Sequence, residues 1–177
     1  MDLKIRIELT QDYKKSEEVV RSAFESEAFS DKKEHILVNR IRKTEAFVPE
    51  LSLVAENEEQ EIIGHVLLSK VKIVNDEQVI QSLALAPVSV VPEYQNKGIG
   101  SQLIKAALTS AKNLGYQSVI VLGHQDYYPK FGFKRASTWG IKAPFDVSDE
   151  VFMAIELHED SLADVNGVVH YSEAFSE

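Results

Sequence analysis

The residues best able to do chemistry lie together in Val90-Val91-Pro92-Glu93-Tyr94-Gln95-Asn96-Lys97-Gly98-Ile99-Gly100-Ser101. An apolar strand end runs here into the start of an amphipathic helix, with glycine at 98 and 100. Glycine turns tightly and lets a ligand approach the backbone. The first N–H groups of a helix have no internal partner and stand at the positive end of its dipole. Together these features make a seat for phosphate or pyrophosphate, to which Ser101 can add a hydroxyl and Lys97 a positive charge. The Walker arrangement needs Lys-Ser/Thr after the second glycine, and the dinucleotide arrangement needs a third glycine where Leu103 stands; neither is present. A bare Gly-x-Gly also suits a plain glycine-rich helix start, and the segment alone leaves both readings open.

Other chemistries are excluded by residue type. The 177 residues include no cysteine, so a disulfide framework, thiolate metal site, iron–sulfur cluster or cysteine nucleophile cannot form. No His-Glu-x-x-His and no Gly-x-Ser-x-Gly occur, and His35, His65, His158 and His170 show no ligand spacing, so no metal is expected. With 28 acidic against 19 basic residues the net charge is −9, which disfavours phosphate backbones and hence nucleic acid as a partner.

The surrounding elements must hold the glycine segment in place. Leu3, Ile5, Ile7 and Leu9 alternate with polar residues as a half-buried strand and not as a signal peptide. Thr10 or Asp12 can cap a helix running to about Glu27, with Val19, Val20, Ala23 and Phe24 inward. Ser30 or Asp31 can cap a second helix, with Ile36, Leu37, Arg40 and Ile41 near the packed side, and Pro49 closes a connector.

Strands are expected at 51–56, 62–74 and 79–91, with a bulge or broken pairing at Pro87, which cannot donate to a ladder. The period of Ile99, Leu103, Ala107, Leu108, Ala111 and Leu114 predicts the clearest helix, ended by Gly115. Ser118–Leu122 reads as a strand buried on both faces, followed by a turn over 126–131 and strands near 133–136 and 151–157. The tail has a turn at Asn166-Gly167 and an apolar run, Val168–Tyr171, able to add an edge strand. This order predicts a mixed α/β fold. No apolar stretch approaches the ~20 residues needed to span a bilayer, so no membrane partner is expected and the cytoplasm is the expected location.

In this context the chain resembles the GNAT family of acyl-CoA-dependent N-acyltransferases. The family signature Gln/Arg-x-x-Gly-x-Gly/Ala stands here as Gln95-Asn96-Lys97-Gly98-Ile99-Gly100, after Val90-Val91-Pro92. A second family element, aromatic–Tyr–x–Lys–x–Gly–Phe, stands as Tyr127-Tyr128-Pro129-Lys130-Phe131-Gly132-Phe133. The two come in family order, separated by one helix and one strand. Leu85-Ala86-Pro87-Val88 and Ala143-Pro144-Phe145-Asp146-Val147 resemble the bacterial YhbS-like branch.

The resemblance implies a mostly antiparallel central sheet flanked by helices and splayed at the acyl-CoA site. It implies a GNAT acyltransferase domain over 1–157, with 158–177 as a C-terminal extension packed on it. Amides from Gln95, Asn96, Lys97, Gly98, Ile99 and Gly100 to Ser101 would bind the CoA pyrophosphate. Backbone groups of Val88 and Val90 would pair with the acetyl carbonyl and pantetheine like an added strand. Tyr128 would be the general acid for the leaving thiolate, with Tyr127 as rival and Tyr94 behind it; Phe131 reads as a core aromatic. Where much of the family has an Asn, this chain has Gly123-His124-Gln125-Asp126. A lysine-like amine has a pKa near ~10.4, so a base is useful, and His124 is the candidate, with Glu93 and Asp126 as alternatives.

Lacking a thiol to carry the acyl group, the chain is expected to work by direct attack in a ternary complex. The expected activity is acetyl-CoA-dependent N-acetylation of a primary amine, small or peptidic; the alternative is a non-catalytic acyl-CoA-binding module on the same fold. The net charge favours a cationic acceptor, and a homodimer is compatible with the reading. Segments 27–50 and 137–150 would shape the acceptor pocket.

Overall fold

The computed structural model describes residues 2–25, 27 and 30–176. Nine strands form one sheet: β1 (Lys4–Ile7), β2 (Phe47–Glu56), β3 (Ile62–Val74), β4 (Val79–Val90), β5 (Ser118–Leu122), β6 (Lys134–Arg135), β7 (Ile141–Lys142), β8 (Phe152–Glu156) and β9 (Gly167–His170). The main path runs β1-β2-β3-β4-β5-β8-β6, antiparallel except where β4 and β5 run parallel. Helices α1 (Tyr13–Phe24) and α2 (Glu34–Arg42) cover one face, and α3 (Ile99–Asn113) covers the other. The expected mixed, mostly antiparallel sheet flanked by helices is therefore present. No helix among the described residues is long and apolar enough to cross a membrane.

β3 shows why the centre of the sheet is so apolar. Its first eight residues, Ile62–Ser69, are all buried, because side chains alternate between two covered faces. Val66 and Leu68 meet Leu103, Ile104 and Ala107 of α3, while Leu67 meets Val20, Val38 and Ile41 of α1 and α2. Each such fully buried aliphatic side chain contributes about 1.5–3 kcal/mol. Gly64 sets the distance of α3 from the sheet: a Cβ there would lie 2.9 Å from Leu103 Cδ1.

Several elements differ from expectation for physical reasons. α1 ends at Phe24, and Ser26, on the longer helix expected to about Glu27, lies outside the described residues, as do Ala28 and Phe29. Asp12 holds the N-cap position of α1, but its carboxylate accepts the Leu9 N–H at 2.8 Å and pairs with Arg6 at 2.7 Å, and it caps no helical amide. α2 buries Val38 and Ile41 and leaves Ile36 37% exposed. Pro49 lies inside β2 rather than ahead of it, exposed within a register shift between Phe47 and Ser52, where no ladder N–H is required.

The break expected at Pro87 is present as a register shift opposite Val66–Leu68, and the Ala86–Pro87 peptide is cis. Gly115 follows α3 at φ +93°, the left-handed terminator expected there. The tail strand β9 pairs with β3 at Lys72–Val74, beyond the reach of β2, and carries β7 beside it.

Candidate active site

Pairing patterns open a wedge between β4 and β5. The parallel ladder holds only Leu83 to Val119 and Ala84 to Ile120. Past that point β4 stays with β3 as far as Val90 opposite Gly64. β5 stays with β8 as far as Leu122 opposite Phe152. Each strand follows its outer neighbour, so the inner edges separate.

The register decides which backbone groups face the wedge. Val91 N–H donates to Ile63 C=O at 3.0 Å, which makes Val90–Gly64 a non-hydrogen-bonded pair. Val90, and by alternation Val88, therefore turn their N–H and C=O groups away from β3 and toward the wedge. The side-chain amide of Gln95 donates to the Val90 carbonyl at 2.9 Å, which ties the glycine segment to the strand end.

That segment is shaped by left-handed residues. Asn96 has φ +63° and Gly98, the N-cap of α3, has φ +81°. Beyond its own stretch of chain, nothing lies within 4 Å of where a Gly98 Cβ would stand, so glycine serves conformation there and not space. The first amides of α3, on Ile99, Gly100 and Ser101, precede the first intrahelical bond, Gln102 N–H to Gly98 C=O at 3.1 Å. An exposed loop with free helix amides fits an anionic diphosphate, and a strand edge where Val88 and the Val90 N–H face away from β3 fits an amide-bearing arm. Lys97 is exposed, its Nζ 5.3 Å from the Tyr94 ring centroid.

The tyrosines separate clearly. The Tyr127 hydroxyl bonds Ser101 Oγ at 3.1 Å and lies 3.7 Å from where a Gly100 Cβ would stand, beside the first turn of α3. Tyr94 accepts from Asn57 Nδ2 at 3.1 Å and is committed to the β2–β3 turn. Tyr128 is buried, its ring edge-on to Tyr127 at 5.1 Å and to Phe133 at 5.7 Å. Its hydroxyl bonds no described residue. Burial, and to a lesser degree the neighbouring Tyr127, push the Tyr128 phenol up to about 12. Phe131 packs against the edge of the core.

His124 sits on the turn after β5 with its side chain exposed, and its carbonyl accepts the N–H groups of Tyr127 and Tyr128 at 3.1 and 3.3 Å. Its backbone thus positions both tyrosines. Glu93 and Asp126 are exposed as well.

Two features escaped the sequence reading. Gly123, just after β5, is where the Tyr128 ring lies, a contact for which the run Leu122-Gly123 gave no sign beyond a strand end. A cluster under the sheet joins Glu8, Arg42, Ser52 and His65. Arg42 pairs with Glu8 at 2.7 Å and Glu17 at 2.6 Å, and its guanidinium lies 4.0 Å over Tyr13. Ser52 Oγ donates to Glu8 Oε1 at 2.7 Å, so it accepts from His65 Nε2–H at 3.1 Å, which fixes the tautomer. Burial, opposed by Glu8 and aided by Arg42, lowers His65 to about 4, so the imidazole is neutral despite lying 3.6 Å from Glu8. A histidine within the apolar run of β3 was the available signal.

Residues 49–135 match the family described as Acetyltransferase (GNAT) domain. The chain is 31% identical over 172 residues to the "Uncharacterized N-acetyltransferase YhbS" of Escherichia coli K12, covering 97% of this chain and 98% of that one. It is similar to the crystal structure of E. coli YhbS in complex with CoA, with TM-score 0.88 and 29% identity over 99% of this chain and 92% of that one. It is also similar to a GNAT acetyltransferase from Brucella melitensis in complex with acetyl-CoA, with TM-score 0.80, 32% identity and 98% of each chain covered.

Proposed function

Because the chain belongs to the GNAT acetyltransferase family, we propose that it moves an acetyl group from acetyl-CoA to a primary amine by direct attack in a ternary complex. The observation that carries this is the wedge between β4 and β5, with Val88 and Val90 turned into it and the Asn96–Ser101 amides at its mouth. The bound forms of the two similar structures, one with CoA and one with acetyl-CoA, support the choice of donor.

Acetyl-CoA supplies a thioester, whose carbonyl carbon is open to a neutral amine. The amides of Asn96 to Ser101 hold the diphosphate; that of Gln95 is taken by the Pro92 carbonyl at 3.3 Å, and Gln95 serves through its side chain on Val90. Val88 and Val90 hold the arm along the strand edge. The Val88 N–H hydrogen-bonds the acetyl oxygen as negative charge builds on it. The amine forms the C–N bond, the C–S bond breaks, and the amine proton passes to water.

Tyr128 then serves the sulfur. With its pKa near 12 the phenol is protonated throughout the neutral range, so a donor is always present. A thiol titrates near ~8.5, so full transfer from the phenol is uphill. The phenol therefore hydrogen-bonds the sulfur as the C–S bond breaks and hands over its proton as the thiol leaves, regaining one from the water that took the amine proton. His124, exposed at the turn, takes the amine proton only through water in this scheme.

The net charge of −9 draws a cationic amine toward the site, so initial rates should fall as salt rises. The deciding experiment combines thermal unfolding with and without millimolar acetyl-CoA and a turnover screen over amines, peptides and small metabolites. A raised melting temperature with amine-dependent thiol release is expected. An unchanged melting temperature would sink the reading, and binding without turnover on any amine would leave a non-catalytic acyl-CoA module.

A further inference from the structure

A cavity of about 470 Å³ opens at the apex of the wedge. Its floor includes Ala84 and Ile120, the last paired residues of β4 and β5, and its wall includes Leu85, Ala86 and Leu122 just beyond them. Ala84 and Ile120 belong to the core group of Ile141, Phe152 and Val169, which contains no α3 residue, so the cavity lies on the sheet face away from α3. A molecule in it would meet the wedge from the side opposite the glycine segment.

The outer wall is aromatic and comes from two separate parts of the chain. Phe145 stacks on Tyr171 with centroids 6.1 Å apart and planes at 24°, and Tyr171 meets Phe175 at 5.2 Å. The tail is placed here by β9, which anchors it to β3 immediately before Tyr171. Among the described residues none that lines the cavity is charged; the side-chain polar groups are the hydroxyls of Tyr171 and Ser176. Leu122 and Phe145 remain 48% and 46% exposed at its edge, large apolar surface that an occupant would cover.

We propose that this cavity is the acceptor site and that it takes a primary amine borne by a short arm on an aromatic ring, a molecule with no carboxylate and no second cation. The proposal rests on the acetyltransferase reading above and narrows its acceptor. A flat apolar ring fits beside the Phe145–Tyr171 stack, where offset aromatic contacts are favourable. Among the described residues, a polyamine would bring a second ammonium into a wall without a carboxylate, and an amino acid would bring a carboxylate into one without a cation. A peptide would bring its backbone groups into a cavity whose described side chains offer two hydroxyls.

The cavity also prepares the nucleophile. An ammonium entering apolar walls is disfavoured relative to the neutral amine, so the site itself promotes loss of the proton. No carboxylate or imidazole among the described lining residues is then needed to take it. Aromatic faces still attract the approaching cation, consistent with the acidic charge of the whole chain.

The test compares 2-phenylethylamine, putrescine and phenylalanine as acceptors, with acetyl-CoA-induced thermal stabilisation measured alongside. The expected result is a kcat/KM for 2-phenylethylamine at least about tenfold above both others. Phe145→Ala, at an exposed position, should raise its KM by about tenfold, the scale set by losing apolar contact in a pocket, and leave the KM of acetyl-CoA unchanged. Preference for putrescine or phenylalanine, or an unaltered KM in the variant, overturns the acceptor class. Acetyl-CoA stabilisation without acetylation of 2-phenylethylamine overturns the acceptor class alone. Absence of that stabilisation overturns the acetyltransferase reading and this proposal together.

Discussion

The ring of Tyr128 lies against the backbone of Gly123 so closely that a Cβ on the glycine would stand 2.2 Å from Cε2 and 2.8 Å from Cδ2. No side chain fits in that space. The contact joins the end of β5, one wall of the wedge, to the phenol proposed to serve the sulfur. The turn from Gly123 to Tyr128 is closed by the His124 carbonyl, so the glycine, the turn and the phenol form one rigid unit.

That unit makes two variants comparable. Tyr128→Phe should lower kcat by ~10²–10⁴, the range for losing a general acid, with acetyl-CoA affinity little changed. Gly123→Ala keeps the phenol but forces the ring or the backbone to move, at a stability cost of roughly 1–3 kcal/mol. Its kcat should fall toward that of Tyr128→Phe. Steady-state kinetics with thiol detection, set beside urea unfolding, measures both. A Phe variant as active as the wild type would move the role to another group.

Tyr127 should behave in the opposite way. Its hydroxyl is bonded to Ser101 Oγ at 3.1 Å, at the first turn of α3. Tyr127→Phe should therefore weaken acetyl-CoA binding by roughly fivefold to tenfold, the scale of one hydrogen bond, with kcat nearly intact. The KM of acetyl-CoA against kcat is the measurement. A large fall in kcat at unchanged KM would exchange the assignments of the two tyrosines.

Much of this was legible in the sequence where local pattern and fold agree. The 3.6 period of α3, the buried run of β5 and the glycines at 98 and 115 each specify their own conformation. The two tyrosines were distinguishable by motif but not by geometry, because only tertiary contact places one beside Ser101 and the other on Gly123. The acceptor cavity was out of reach for the same reason: Leu122, Phe145 and Tyr171 are separated in the chain and meet through the pairing of β9 with β3. The buried His65 cluster hid behind ordinary polar residues, since nothing local reveals that Arg42 turns inward beside Val38 and Ile41 of α2.

Gly98 tests the donor seat. Its φ of +81° with open space around it means that a larger residue is opposed by backbone strain and not by collision. Gly98→Val should keep the fold, since the position is exposed and precedes α3, but should tilt the amides of Ile99 to Ser101. The stabilisation given by acetyl-CoA should be lost in thermal unfolding. If the variant were stabilised as fully as the wild type, the diphosphate would have to bind elsewhere.

The His65 side chain is wholly buried and makes stability depend on pH. Its folded pKa of about 4 lies below the ordinary 6.5. Between those values the unfolded chain binds a proton that the folded chain refuses, so stability rises with pH across that window and is lost as pH falls from 6.5 to 4. At 1.36 kcal/mol per unit, the shift corresponds to a loss on the order of 3 kcal/mol. Asp12 acts lower: Arg6 holds its carboxyl below the usual range, so its contribution is lost only as pH falls further. Urea midpoints followed from pH 7 to pH 4 should decline in the wild type. In His65→Gln, which keeps an amide N–H able to reach Ser52, the decline above pH 4 should flatten. An equal decline in both proteins would assign the acid sensitivity to carboxylates elsewhere and leave His65 without a part in it.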